Sequence, residues 1–289
     1  MTNQSEAAYP TTTEKLTLGN IAVSVRHAGS GPTILLLHGF PHTKQVWRAV
    51  EPVLIDAGYR VVSPDLRGLG DTDRTPDGYH ADDLAMDQVR LLDALSSDAA
   101  HVVGFDLGAA PAFALAAAHP GRVRSLTVVE AILGGLPGAE AFLAHPPWWF
   151  GFHQAPGGLA EDVLEGDEGR YIRHFLATGS EVGVPHDLEQ HFVDAYTGHA
   201  RLRAAFEHYR AMPGNARWSR AWAEHGRLPM PVAAIGASAV EDALARQLAT
   251  VCDDLTGHLL PRSGHIVPVD APRELAAIVL DTAHRASIS

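Results

Sequence analysis

The chain has 289 residues, of which 46% are apolar and 19% are charged, and its formal net charge is −12. This composition is typical of a globular protein with enough apolar side chains for a full core. The negative charge argues against a nucleic-acid partner, because phosphate binding requires clustered Lys and Arg. A single cysteine, Cys252, excludes an intrachain disulfide.

No segment predicts secretion or membrane insertion. The first residues, MTNQSEAAYPTTTEKLTLG, are polar and Thr-rich, without an apolar run of signal-peptide length. No apolar stretch approaches the roughly 20 residues needed to cross a bilayer. We therefore expect a soluble, cytoplasmic protein.

The first half of the sequence alternates short apolar runs with longer amphipathic ones. Runs such as TILLL and LTVV are apolar on both faces, which is typical of parallel strands covered by helices. This order predicts an α/β fold with right-handed crossovers. The predicted strands here are Ile21–Val25, Thr33–Leu37, Arg60–Ser63, His101–Gly104 and Ser125–Val129, and the predicted helices are Gln45–Asp56, Asp82–Leu95 and Ala109–His119.

The pattern changes in the middle of the chain, where helical stretches are separated by Pro and Gly and no strand is convincing. Strand-like runs return at Pro231–Gly236 and Gly257–Leu260, followed by a helix from Pro272. Because long structureless loops are uncommon in compact domains, we interpret residues 134–227 as an inserted helical cap on a core of residues 1–133 and 228–289. The predicted cap helices are Leu159–Glu165, Arg170–Thr178, Asp187–Tyr196 and Ala200–Ala211.

The segment HVVGFDLGA, residues 101–109, has the form strand, Gly-x-Asp-x-Gly, helix. A turn of this form is sharp, raises its central side chain above the sheet, and supplies a backbone N–H to an oxyanion hole. Its central residue is Asp106, and side chains at Gly104 or Gly108 would collide with the neighbouring strand and helix. Taken alone, the same residues also fit a tight turn with an Asp helix cap.

Further motifs stand in order along the chain: HGFP at residues 38–41, PDLRGLGD at residues 64–71, a strand ending in Glu130, and Gly264-His265. With the Asp106 turn, they resemble the epoxide hydrolase and dehalogenase branch of the α/β-hydrolase family. The resemblance covers most of the chain except the first dozen residues. It implies an α/β-hydrolase fold with a mostly parallel central sheet, an inserted all-helical cap, and an aspartate nucleophile.

An aspartate nucleophile suits substrates that are attacked at sp³ carbon. Displacement by its carboxylate opens an epoxide or expels a halide and leaves an alkyl ester on the enzyme. Water attack on that ester creates an oxyanion, for which the backbone N–H groups of Phe40 and Leu107 are the candidate donors. The resemblance makes His265 the general base for this water.

The base needs a carboxylate partner, and two positions compete for this role. Glu130 ends a buried apolar strand, where an unpaired Glu is rare. Asp242 or Glu241 follows the next strand, but several residues beyond it, where both fit the first turn of a helix. We favour Glu130.

Ring opening also needs an acid, which the resemblance places in the cap. The segment FEHYRA, residues 206–211, makes Tyr209 the candidate, because a phenol holds its proton at neutral pH. Its neighbour His208 is expected to pack or to face solvent. Trp149 stands where related sequences carry a second donor, Tyr or His; an indole N–H donates a hydrogen bond but no proton, and lid packing is the alternative role.

Epoxide hydrolysis fits these features best. Trp148, Trp149 and Phe150 are expected to roof the pocket, and His38 to contact the substrate, which favours a neutral, apolar or aromatic epoxide. Haloalkane or haloacid dehalogenation through Asp106 is the alternative, although the chain lacks residues that the resemblance leads us to expect there. Haloalkane enzymes carry a Trp after the nucleophile and fluoroacetate enzymes carry arginines, whereas this chain has Leu107, Ala110 and Pro111.

A third possibility is a non-hydrolytic biosynthetic or ligand-binding homologue. No cofactor or metal is expected, since His38 and His42 lack a coordinating set at a convincing spacing. Asp65 and Arg67 are expected to order their loop through side-chain hydrogen bonds. The expected partner is a small-molecule substrate, and family habit suggests a homodimer.

Overall fold

The computed structural model of the chain describes residues 9–288 and contains one central sheet. Within that range the strands are β1 (Thr11–Leu18), β2 (Ile21–Ala28), β3 (Thr33–Leu37), β4 (Arg60–Pro64), β5 (Ala100–Phe105), β6 (Val123–Val129), β7 (Val232–Gly236) and β8 (Leu255–Leu259). Their order is β1-β2-β4-β3-β5-β6-β7-β8. β2 pairs antiparallel with β1 and β4, and every other pairing is parallel.

Helices cover the sheet and form a separate block between β6 and β7. Those before β7 are α1 (Glu51–Asp56), α2 (Ala81–Ala94), α3 (Ala109–Ala118), α4 (Glu140–Ala144), α5 (Trp148–His153), α6 (Leu159–Leu164), α7 (Glu168–Gly179), α8 (His186–Tyr196) and α9 (His199–Ala223). Those after β7 are α10 (Ala243–Leu248), α11 (Val267–Asp270) and α12 (Pro272–Ile288). The architecture confirms the predicted α/β fold with a mostly parallel sheet.

The central strands are buried on both faces because helices pack on each side. Every residue of β3, β5 and β7 is buried. Helix α3, with the sequence AAPAFALAAA, packs against β5 and β6, and its small side chains allow a close approach. Each fully buried Leu or Val contributes about 1.5–3 kcal/mol to folding.

Several elements differ from the predictions. The short helices α4, α5 and α11 were not predicted, and α9 extends to Ala223, beyond the predicted end at Ala211. β1 was not predicted, because its burial alternates and its polar TTTEKLTL sequence has no apolar run. It forms a hairpin with β2 through Gly19 and Asn20, where Gly19 has φ +67°. The single helix predicted at Gln45–Asp56 is instead a 3₁₀ helix at Lys44–Ala49 followed by α1. Helix α1 begins at Glu51 and has Pro52 in its first turn.

Helices α4 to α9 lie where the cap is predicted, at residues 134–227, and the exact domain boundaries remain a prediction. The longest, α9, has 25 residues and contains Pro213. No helix in residues 9–288 is long and apolar enough to span a membrane. The loops that follow β3, β5, β6 and β8 share the carboxyl edge of the parallel strands, the edge at which α/β proteins place their sites.

Candidate active site

Asp106 lies on a strained turn between β5 and α3. Its φ is +53°, in the left-handed region that residues other than Gly rarely adopt. The crowding expected at the flanking glycines is present. A Cβ on Gly108 would lie 2.3 Å from the Leu37 carbonyl oxygen, and one on Gly104 would lie 2.6 Å from the Ala112 Cβ. The turn therefore depends on these glycines to present Asp106 above the sheet.

The Asp106 carboxylate has one backbone donor. The Phe40 N–H donates to its Oδ1 over 2.7 Å, which places the loop after β3 beside this turn, the elbow formed by residues 104–108. Leu107 lines the adjacent cavity, but no hydrogen bond joins its N–H to this carboxylate. Of the two predicted oxyanion donors, Phe40 is thus in contact with Asp106.

His265 lies between two carboxylates. Its Nε2 is 3.3 Å from Asp106 Oδ2, and its Nδ1 is 3.1 Å from Glu130 Oε2. Burial of the ring lowers its pKa, but hydrogen bonds to both carboxylates and their charges outweigh burial and raise the pKa of His265 to about 10. At neutral pH the ring is therefore an imidazolium that faces both carboxylates.

Glu130 is the acid that reaches His265. It follows β6, has φ +46° and is 1% exposed. Its Oε1 accepts hydrogen bonds from the N–H groups of Ala237 and Val240, the second over 3.4 Å, so the loop after β7 holds this carboxylate. Asp242 is exposed and forms an ion pair with Arg246. Glu241 is exposed as well.

A cavity of about 590 Å³ opens above Asp106 and His265, beneath the cap helices. Tyr209 lines it from α9, and no described residue hydrogen-bonds to its hydroxyl. Burial, with the Asp106 charge adding to it, raises the pKa of Tyr209 well above its usual value, so the phenol stays protonated. Among residues 9–288 no Lys or Arg lines the cavity; its large side chains include Phe40, Phe142, Trp149, Phe150, Phe175 and Met212.

Residues 32–285 match the family model of the alpha/beta hydrolase fold. The chain belongs to this family. A soluble epoxide hydrolase of Corynebacterium sp. (strain C12) is 27% identical over 89% of this chain and 90% of its own length. A fluoroacetate dehalogenase of Burkholderia sp. is 34% identical over 60% of each chain. The crystal structure of Cfl2 from Burkholderia cenocepacia, 29% identical, superposes with a TM-score of 0.86 over 94% of this chain and 95% of that one.

Two residues predicted to contact the substrate lie outside the hydrolase's cavity. Trp148 is 58% exposed, because successive helix residues differ in direction by about 100° and α5 turns Trp149 and Phe150 inward instead. His38 is fully buried beneath the site. Its Nε2 accepts a hydrogen bond from the Leu66 N–H, so it links two loops rather than contacting the cavity.

Trp149 and Phe150 both line the cavity. The Phe150 ring packs 5.8 Å from that of Tyr209, whereas the Trp149 ring packs edge-on against Phe175 at 5.3 Å. A second donor role for Trp149 stays a prediction. His208 also lines the cavity. It is buried, and its Nε2 hydrogen-bonds to the Arg67 carbonyl oxygen over 2.9 Å, so the expected packing role stays a prediction.

The loop at residues 64–71 is ordered by side-chain bonds, as expected. Asp65 accepts hydrogen bonds from the N–H groups of Lys44 and Asp71, and from the Lys44 ammonium. Arg67 makes a bidentate pair with Asp87 at 2.8 and 2.9 Å.

Sequence reasoning gave no role at the site to two histidines that lie near it. His42 lines the cavity, is fully buried, and has no described partner for either ring nitrogen. Burial keeps its pKa well below the usual value, so it is neutral. His153 stacks on Phe206 at 4.1 Å and packs edge-on against Tyr209 at 4.3 Å, behind the cavity wall. Only the position of His42 directly after the HGFP motif could have pointed to it.

Proposed function

We propose that this α/β-hydrolase is an epoxide hydrolase that converts a neutral, apolar or aromatic epoxide to a vicinal diol. The observation that carries the proposal is the chain of contacts from Asp106 through His265 to Glu130, beneath a cavity lined by Tyr209. The soluble epoxide hydrolase that matches 89% of the chain supports it.

In the first half-reaction Asp106 attacks a ring carbon. Oδ1 is held by the Phe40 N–H, so Oδ2 forms the new C–O bond while the ring C–O bond breaks. The departing ring oxygen takes the proton of the Tyr209 hydroxyl, since an alkoxide is the stronger base. The product is a hydroxyalkyl ester of Asp106.

Ester formation changes the state of His265. The neutral ester no longer carries the Asp106 charge, which is one cause of the raised pKa of His265, so that pKa falls and the ring gives up its proton, which returns through solvent to the phenolate left on Tyr209. Neutral Nε2 then takes a proton from water as the water attacks Cγ of Asp106. The oxyanion forms on Oδ1 against the Phe40 N–H. Its collapse breaks the Cγ–Oδ2 bond, and the departing alkoxide takes the proton of the hydroxyl group that water added to Cγ. This releases the diol and restores the Asp106 carboxylate beside the His265 imidazolium.

The cavity favours a neutral substrate. Leu107, Ala110 and Pro111 line it directly after the nucleophile, and no Lys or Arg side chain lines it elsewhere. A substrate carboxylate would therefore enter beside Asp106 and Glu130 without a cationic clamp of its own. This weighs against haloacid dehalogenation through Asp106, the second candidate function, which the fluoroacetate dehalogenase relative favours.

A substrate panel tests the proposal. Purified protein is given styrene oxide, an anionic epoxide carboxylate, fluoroacetate and a bromoalkane, with diol and halide measured in parallel. We expect diol from styrene oxide with a kcat/KM at least roughly tenfold above that for the anionic epoxide. Halide release faster than diol formation would reassign the protein to dehalogenation.

A further inference from the structure

Asp270 receives hydrogen bonds from both the catalytic loop and the cap. It ends α11, five residues after His265. The Gly264 N–H donates to its Oδ2 over 2.7 Å. From the cap, the Ser180 hydroxyl donates to Oδ1 and the Glu181 N–H donates to Oδ2 over 2.9 Å. One carboxylate thus joins two segments that come from different parts of the chain.

A second contact joins the same two segments. The Ile266 N–H donates to the Gly179 carbonyl oxygen over 2.8 Å. A Cβ on Gly264 would lie 2.5 Å from that same oxygen, so the two backbones meet at a distance that only Gly permits. Both neighbours of His265 are therefore tied to the end of α7.

The tied segments also form part of the cavity wall. Thr178 and Gly179 line the cavity from the cap, and His265 and Ile266 line it from the core. The cap side of the cavity wall and the His265 imidazole are therefore both positioned through the contacts of Asp270. Asp106 is held separately by β5 and α3, and Tyr209 by α9.

We propose that Asp270 is a positioning residue that couples the end of α7 to His265, and that ester hydrolysis depends on it more than ester formation does. The proposal rests on the proposed function, since it needs an ester on Asp106. Hydrolysis requires His265 Nε2 to be aimed at a water, and a misplacement of about 1 Å costs on the order of 100-fold in rate. Ester formation uses groups that Asp270 does not hold.

Two variants of the Asp270 contact and one control variant test the proposal. Asp270→Ala removes every bond to the carboxylate. Ser180→Ala removes one bond from the cap and leaves the Gly264 contact in place. Asp242→Asn is the control, because Asp242 is exposed and contacts Arg246 away from the cavity. Each is mixed with excess epoxide, quenched at intervals, and measured by intact-protein mass for ester and by product analysis for diol.

We expect Asp270→Ala to accumulate ester, with hydrolysis slowed at least roughly tenfold and ester formation within about threefold of wild type. Ser180→Ala should lower the ratio of the hydrolysis rate to the ester-formation rate as well, but by less. This variant keeps the test valid if Asp270→Ala fails to fold. Equal losses in both steps, or no change in their ratio for the folded variants, would overturn the proposal. A failure of the proposed function looks different, because the wild type itself would then form no ester and no diol.

Discussion

Glu130 Oε2 lies 3.1 Å from Nδ1 of His265, although 135 positions separate the two residues in the sequence. The fold brings them together because β6 and β8 are parallel and their following loops meet at one edge of the sheet. The contact fixes a proton on Nδ1 and leaves Nε2 facing Asp106. Glu130 therefore sets which nitrogen can act as the base.

Glu130→Gln should reverse this proton arrangement. The Gln oxygen would accept from the Ala237 N–H and turn its NH₂ group toward Nδ1, which forces the proton onto Nε2. We expect kcat to fall by between about 100- and 10,000-fold with the fold retained. Steady-state diol formation measures this, with Asp242→Asn as the matched control. A larger loss of kcat in Asp242→Asn than in Glu130→Gln would show that Glu130 is not the carboxylate partner of His265.

Tyr209→Phe should slow ester formation alone. Removing the proton donor for the ring oxygen should cost about 100- to 10,000-fold in the single-turnover rate of ester formation, whereas hydrolysis of ester already formed should be little changed. Tyr196→Phe is the control, because its hydroxyl donates to the His42 carbonyl oxygen and does not line the cavity. An unchanged rate of ester formation in Tyr209→Phe would show that Tyr209 is not the proton donor.

The charge on His265 should make stability depend on pH. Its pKa is raised to about 10 in the folded protein, against 6.5 for the unperturbed side chain. Its contribution to stability is therefore fully present below about pH 6.5, declines as the pH rises, and is lost above about pH 10. The free energy of unfolding, measured by urea titration from pH 6 to pH 10, should fall more steeply for wild type than for His265→Gln. Parallel curves would show that the ring is not charged.

Gly108→Ala should destabilise the elbow. Its Cβ would lie 2.3 Å from the Leu37 carbonyl oxygen, so the strand and the turn must separate. We expect a loss of about 1–3 kcal/mol in the free energy of unfolding, with lower activity. Gly121→Ala is the matched control, because a Cβ there meets nothing within 4 Å, and its change should stay within about 0.5 kcal/mol. Equal losses of unfolding free energy in Gly108→Ala and Gly121→Ala would contradict the steric explanation for Gly108.

Most of the sheet could be predicted from the sequence, because buried parallel strands leave continuous apolar runs such as TILLL. β1 left no such run, since one of its faces is exposed. The Gly19-Asn20 pair before β2 was the available signal, because such pairs join hairpin strands. Periodicity also could not show where Val50 interrupts the helix predicted at Gln45–Asp56.

Site residues could be predicted where a short stretch of sequence around them is itself informative. Asp106 lies within the Gly-x-Asp-x-Gly motif and His265 within the Gly-His pair. The position of Glu130 at the end of an apolar strand distinguished it from Asp242 as the candidate partner of His265. The direction of a cap side chain has no such marker, which is why Trp148 was placed in the pocket although it faces solvent. Asp270 was missed because two of its partners are backbone N–H groups, of Gly264 and Glu181, and the third, the Ser180 hydroxyl, lies 90 positions away, so no local pattern marks the contact.

The most direct test of the account is to trap the ester on Asp106. His265→Gln is incubated with styrene oxide, and the intact protein and its peptides are weighed, with the Asp106→Ala/His265→Gln double variant as the control. We predict a stable increase equal to the mass of the whole epoxide, located on Asp106 and absent from the control. An unmodified Asp106 in protein that still turns over the epoxide, or an adduct that persists in the control, would contradict a carboxylate nucleophile at this position.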